Sequence, residues 1–260
     1  MMRFRFPGFS LFTALLFILS QSATAETVSV SGAVLKPGAY QWHPEARMHD
    51  ATVAGQVRAD AWFLGAALLR EAAIEPQQRL KAGVLFDLRV NRLHARNENN
   101  PELLGLVERL DGFVGQLPVT GRVVAELNPF QLLIPQNNHL LQAGDRLVYP
   151  TRPAQIRVLG AVNTDCELAF DAAITLKEYL RQCPAHAAAD RNTVYVIQPD
   201  GQFEQVGIAH WNEQPVSLAV GAVIYRPVSG AVLSPDTPEL NRDMAELLAT
   251  QYQLGGRFDE

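Results

Sequence analysis

Apolar and polar residues alternate along Val28-Ser-Val-Ser-Gly-Ala-Val34, the period of two that a half-buried strand shows. Gly32 interrupts the alternation as a bulge or a close backbone approach would. Pro37-Gly38 suits the two central positions of a type II turn, and Tyr40 opens a returning strand. The pattern returns 128 positions later in Ile156-Arg-Val-Leu-Gly-Ala-Val162. At the same offset Met48-His-Asp50-Ala51 lies over Leu176-Lys-Glu178-Tyr179, an apolar residue and then an acid in the first turn of a predicted helix. A second echo, Leu141-Gln-Ala-Gly144-Asp-Arg-Leu147-Val-Tyr-Pro150 over Leu218-Ala-Val-Gly221-Ala-Val-Ile224-Tyr-Arg-Pro227, has an offset of 77. The fall from 128 to 77 places about 51 additional residues in the first copy, between roughly residues 56 and 118.

That additional segment reads as helical. Asp60 to Ile74 carries Trp62, Leu64, Leu68 and Leu69 before Pro76, and Pro76 to about Arg96 has Leu80, Val84, Leu88 and His94 near helical spacing. Asn100-Pro101-Glu102 combines a cap, a proline at the first position and an acid in the first turn, with Leu103, Leu104, Val107 and Leu110 as a buried face. Three inserted helices are predicted. Leu117 to Leu127 then reads as strand, ended by Asn128-Pro129. In the second copy, strands at Thr193–Ile197 and Gln202–Val206 flank a Pro199-Asp-Gly201 turn. A last helix is marked by Thr237 as cap, Pro238 at the first position and Gly255-Gly256 as stop. Leu240, Met244, Leu247, Leu248 and Tyr252 line one face of it, which is expected to dock on the second module.

The paired motifs V-x-V-x-G-x-V-x-x-P-G-x-Y and L-x-x-G-D-x-[IVL]-x-x-P resemble the soluble-ligand-binding β-grasp (SLBB) module of outer-membrane polysaccharide export proteins. Doubled modules, a helical insertion, a signal peptide and a C-terminal helix resemble, more specifically, the GfcC-type (group 4) capsule biosynthesis proteins. The resemblance implies an α+β fold of two tandem β-grasp domains plus a C-terminal amphipathic helix. The boundaries are a signal peptide at 1–25, a first domain at 26–153 with the insertion at about 56–118, a second at 154–230, and a helix and tail at 231–260.

The first 25 residues support export. Arg3 and Arg5 precede an apolar run from Phe9 to Leu19, and Ala23-Thr-Ala25 is an A-x-A cleavage site. The run is too short for a spanning helix, and no cysteine near the cut offers a lipidation site. Cleavage after Ala25 delivers the mature chain to an oxidising, periplasm-like compartment. It also leaves 20 basic and 27 acidic residues, a net charge of −7. Such a balance disfavours nucleic acid and anionic membrane as general partners.

Cys166 and Cys183 are the only cysteines. An even pair in a disulfide-permissive place reads as a bridge, and at the 128 offset it would tie the second hairpin to the end of the following helix. The alternative is two free buried thiols; a catalytic dithiol lacks the C-x-x-C spacing.

The chain carries no G-x-S-x-G, no H-E-x-x-H and no glycine-rich phosphate loop after a strand. His43, His49 and Asp50 read as surface or packing residues, not as a metal site, and no cofactor is implied. Trp42, Trp62 and Trp211 are expected to pack in the core, with stacking on sugar rings as the alternative for each. Arg122 stands out. It follows Thr120-Gly121 where the chain re-enters the sheet, a junction where a cleft can form, and a guanidinium there suits a carboxylate sugar or a partner's acid; the alternative is an ordinary surface or ion-paired arginine. The resemblance implies a non-enzymatic periplasmic accessory of capsule or exopolysaccharide assembly or export that binds glycan or the export machinery. The alternatives are an enzyme acting on envelope polysaccharide through a cleft near Arg122, and a subunit of an oligomeric pore built with the C-terminal helix.

Overall fold

A computed structural model describes residues 26–256; the signal peptide expected at 1–25 lies outside them. The first copy begins with β1 (Thr27–Gly32), β2 (Gly38–Gln41) and α1 (Met48–Gly55), then β3 (Ala67–Leu69). The helices α2 (Ile74–Asn97) and α3 (Pro101–Gln116) follow, and β4 (Arg122–Val123) and β5 (Arg146–Tyr149) complete the sheet. The second copy runs β6 (Gln155–Gly160), β7 (Cys166–Ala169), α4 (Leu176–Gln182), β8 (Thr193–Ile197), β9 (Phe203–Gly207) and β10 (Val223–Arg226). The helix α5 (Leu240–Ala249) and a 3-10 turn at Tyr252–Leu254 follow.

The two mixed five-stranded sheets have the same topology. Their orders are β2-β1-β5-β3-β4 and β7-β6-β10-β8-β9, with a parallel pair in each, β1 with β5 and β6 with β10. Register makes the repeat residue-specific. Leu68 pairs with Leu147 as Val196 pairs with Ile224, so the offset of 128 persists through β3. Val123 faces Leu68 as Glu204 faces Val196, an offset of 81. The first copy's surplus therefore divides: 128 minus 81 puts 47 residues between β3 and β4, and 81 minus 77 puts four between β4 and β5.

This corrects the predicted insertion. Its helices begin at Ile74, and there are two of them. The segment read as a helix over 60–74 instead holds 3-10 turns at Phe63–Gly65 and Glu71–Ala73 around β3. Ala67, Leu68 and Leu69 are all buried, because β3 is an inner strand covered on both faces. Such a run shows no alternation and looks like helix in the sequence. The predicted strand over 117–127 shrinks to Arg122–Val123. The Pro37-Gly38 turn also differs: Gly38 is already in β2, facing Val30, and the connection is long enough for Val34 to bridge Val57.

The motif glycines do what close approach requires. Gly32 and Gly160 have φ of 85° and 102°, and a Cβ on each would sit 2.1 Å and 2.4 Å from the carbonyl oxygens of Tyr149 and Arg226. Within the first copy's closing motif, Asp145 is buried and accepts from Arg70 Nε and Nη2 at 2.9 and 2.7 Å, fixing the turn before β5 to the end of β3.

Three apolar clusters form the core. One lies in the first copy between its sheet, α1 and the chain around Leu127, Leu132 and Leu141. Another fills the space between α4 and one face of the second sheet, with Ile156, Val158, Val194, Val196 and Ile224. The largest covers the opposite face of that sheet, where Leu159, Tyr195, Ile197, Val223 and Tyr225 meet α2, α3 and α5. The insertion of the first copy thus packs against the second. Leu240, Met244, Leu247 and Leu248 of α5 are buried in the same cluster, so α5 docks on the second module as expected and on the inserted helices as well. Thr237 does not cap it: the residue at the cap is Glu239, and the Thr237 hydroxyl accepts from Asn91 Nδ2 at 2.8 Å. Among the described residues, no helix is long and apolar enough to cross a membrane.

Candidate functional site

Arg122 sits where the two copies meet. It opens β4 immediately after the inserted helices, and Gln77 of α2 holds the turn on both sides: Gly121 N–H donates to Gln77 Oε1 at 2.8 Å, and Gln77 Nε2 donates to the Arg122 carbonyl at 2.7 Å. The Arg122 N–H donates to Thr120 Oγ1, whose hydroxyl in turn donates to the Thr250 carbonyl at 2.8 Å. The side chain is 6% exposed. Its Nη1 donates to the Ala249 carbonyl at 3.2 Å, at the C-terminal end of α5, and its Nη2 to the Pro199 carbonyl in the β8–β9 turn. Its Nε has no partner. Among the described residues no carboxylate lies within ion-pair distance of it.

Burial pushes the Arg122 guanidinium down to about 10, against the opposing charge of Asp200. It remains a cation at neutral pH. A buried cation is costly unless its donors are met, and here carbonyl oxygens take one bond from each terminal nitrogen and none from Nε, one of them at a helix C-terminus where the macrodipole favours positive charge. A cleft of about 410 Å³ opens beside it, lined among others by Pro76, Leu80, Val124, Phe203, Glu246 and Thr250. Most of these are apolar, and Glu246 is the one carboxylate among the described residues of that lining.

The structure joins Cys166 at the start of β7 to Cys183 at the C-terminal cap of α4. The bridge ties the second hairpin to its helix. Near α1 the backbone N–H of His49 donates to Asn138 Oδ1 at 3.0 Å, and Asp50 accepts from Arg47 N–H in the helix cap. Among the described residues, no three His, Cys, Asp or Glu side chains group to hold a metal ion. Trp42 donates to the Leu141 carbonyl at 3.0 Å, and Arg152 lies 4.9 Å over the Trp62 ring. Trp211 departs from its expected place in the core, being 77% exposed on the β9–β10 connection.

The sequence reading missed the cavities of the second copy. The larger, about 670 Å³, lies between the segment 170–177 and the segment 207–218. A second, about 520 Å³, shares Thr175, Lys177 and Ile208 with it and is lined also by Glu178, Leu180, Arg181 and Arg226. The available signal was Arg226 itself, a charge inside the apolar run Val223-Ile-Tyr-Arg-Pro-Val228.

Residues 164–252 match the family model described as capsule biosynthesis GfcC C-terminal. The chain is also 25% identical over 202 residues to the uncharacterized protein YjbG of Escherichia coli (strain K12), a match covering 77% of this chain and 81% of that protein. The likeness to the GfcC-type capsule biosynthesis proteins is thereby borne out.

Proposed function

Kinship with the GfcC-type capsule biosynthesis family, carried by residues 164–252 and by the longer match, is the premise from which we propose a non-enzymatic periplasmic accessory of capsule or exopolysaccharide assembly or export. It works by binding glycan or the export machinery. The two copies are SLBB-like β-grasp domains, spanning 26–153 and 154–230, with the segment 231–260 as helix and tail. The shared order of strands, with the hairpin leading into a helix and a central parallel pair, supports that assignment. A cleaved signal peptide at 1–25 delivers the chain to the periplasm.

The observation that carries a binding role is the junction at Arg122. A buried, carboxylate-free guanidinium beside a mostly apolar cleft suits recognition of an acidic group. Paired carboxylates for glycosidic hydrolysis are not what lines this cleft, where Glu246 is the acid among the described residues. Incubating the purified mature chain with capsular polysaccharide tests the proposal. Saturable binding without release of reducing ends is the expected result. Turnover at substoichiometric protein would establish an enzyme instead, and neither binding nor capture of an export protein in intact-cell crosslinking would overturn the role.

A further inference from the structure

We infer that the second copy holds a separate site for an oxyanion, a carboxylate or phosphate group, formed by Arg226 with Lys177 and Arg181 at the mouth of the cavity under α4. Arg226 ends β10 and is 7% exposed. Its Nε is buried without a hydrogen-bond partner, and among the described residues no acceptor or carboxylate pairs with its side chain. The acid that acts on it, Asp190, does so from beyond ion-pair range, with its own carboxylate oxygen taken by the N–H groups of Asn192 and Thr193. Leaving a guanidinium desolvated and unpaired is destabilising. A planar oxyanion is the group that its paired donors match.

The first copy shows what fills this position when no ligand is needed. At the offset of 77, Arg226 lies over Tyr149, which is fully buried and donates its hydroxyl to the Leu127 carbonyl at 3.1 Å. The first copy's longer β4–β5 connection carries Leu127 and Leu132 into the same cluster as Tyr149. The shorter β9–β10 connection leaves a cavity of about 520 Å³ there, and the strand supplies a cation in place of the phenol.

Two further cations line that cavity. Arg181 pairs with Glu178 at 3.4 Å on the exposed face of α4, a contact worth little. Lys177 pairs with Glu213 across the boundary with the larger cavity. An oxyanion on Arg226 can therefore compete for both side chains. The rest of its molecule can extend past Lys177 into the larger cavity, whose walls include Ile174, Val216 and Leu218. That the carrier of the oxyanion is an acidic sugar rests on the proposed function; the oxyanion site itself does not.

The test is an NMR titration of the mature chain in low salt, following the Arg226 Nε–Hε signal assigned by its loss in Arg226→Lys. Inorganic phosphate, glucuronate and glucose are the probes. A saturable shift with phosphate or glucuronate and none with glucose is expected. Response to glucuronate above phosphate marks a carboxylate sugar, and the reverse order a phosphate carrier. Arg226→Met should weaken binding by at least about tenfold while Arg79→Lys, at an exposed arginine of α2, leaves it unchanged. Should Arg226→Met fail to fold, Lys177→Met serves, with a smaller loss expected. An Arg226 signal unmoved at tens of millimolar probe, or undiminished binding in the folded Arg226→Met variant, overturns the site. If polysaccharide binds while Arg226 stays silent, this site fails and the proposed function stands; if phosphate titrates Arg226 but no polysaccharide binds, the reverse holds.

Discussion

The Nη1 of Arg122 lies 3.2 Å from the carbonyl oxygen of Ala249, so a residue at the edge of the first sheet closes the C-terminal end of α5. With the Pro199 carbonyl as its second acceptor, it links three segments that are far apart in sequence. Arg122→Met removes both charged hydrogen bonds and leaves two carbonyls to find water. Each such bond contributes about 1.5–3 kcal/mol, offset by the desolvation that the cation no longer bears. A net loss of about 2–3 kcal/mol is expected, seen as a lower urea midpoint at unchanged slope. Arg122→Lys should recover only part of it, since one ammonium cannot reproduce the planar fork. An unchanged midpoint in both variants would show that the residue serves ligand binding alone.

Asp87 of α2 and Asp243 of α5 oppose each other across the packed helices. Burial first, and then the charge of Asp243, raises the Asp87 carboxyl; burial and Glu239 raise Asp243, against Arg242. A carboxyl raised in the folded state binds its proton more tightly there than in the unfolded chain, where it titrates near about 3.9. Folded stability from this pair therefore falls as pH rises through the window between those values, and the penalty is fully present at neutral pH. Asp87→Asn is expected to raise the thermal midpoint at pH 7. That advantage should vanish as pH falls below the unfolded carboxylate value. A gain that persists in acid would assign it to packing and not to charge.

The parts of the fold that follow from local rules were legible in the sequence. Gly32 and Gly160 mark the same place in two hairpins, and Asn100 caps α3 by accepting from Leu103 N–H at 3.0 Å, as its spacing from Pro101 implies. What escaped was set by tertiary burial. Ala67-Leu68-Leu69 is a strand because β4 and β5 flank it, and nothing within three residues announces that. Thr237 looks like a helix cap by spacing, yet α2 claims its hydroxyl from far along the chain. Arg122 stands out in the sequence by its position beside the insertion, while Arg226, also buried, is a lone arginine in an apolar strand with no local pattern around it.

The two motif glycines give a sharp test of the repeat. Alanine at Gly32 or Gly160 would place a methyl 2.1 or 2.4 Å from a carbonyl oxygen of the neighbouring parallel strand, in a left-handed conformation that side chains disfavour. Relief requires separating β1 from β5 or β6 from β10. Each substitution should cost at least about 3 kcal/mol, or prevent recovery of soluble protein. A variant with a wild-type unfolding midpoint would contradict the shared architecture of the hairpins.

The bridge between Cys166 and Cys183 closes a loop with a sequence separation of 17. Constraint of the unfolded chain by a loop of that size contributes about 3 kcal/mol. The double variant Cys166→Ser with Cys183→Ser should lose that much in chemical denaturation. Dithiothreitol should lower the wild-type midpoint and leave the variant's unmoved. Cys183 is fully buried and Cys166 half-buried, so thiolate attack is expected at the Cys166 sulfur.

Asn91 of α2 is completely buried and serves the turn that leads into α5. Its Oδ1 accepts from Ser234 N–H at 2.8 Å, and its Nδ2 donates to Thr237 Oγ1 and to the Asp87 carbonyl, each at 2.8 Å. Asn91→Leu fills similar space but strips the Ser234 N–H of its acceptor inside the core. An unsatisfied buried donor costs about 1–3 kcal/mol, and the lost bond to Thr237 adds to it. Because the contact lies at the root of α5 and away from the second sheet's strands, its loss should act locally first. Amide exchange across Leu240–Ala249 is expected to accelerate by at least about tenfold while exchange in β6 and β8 follows only the global change. Equal acceleration in α5 and β8 would mean that the C-terminal helix opens with the second module as one unit, and that Asn91 anchors the whole and not the helix alone.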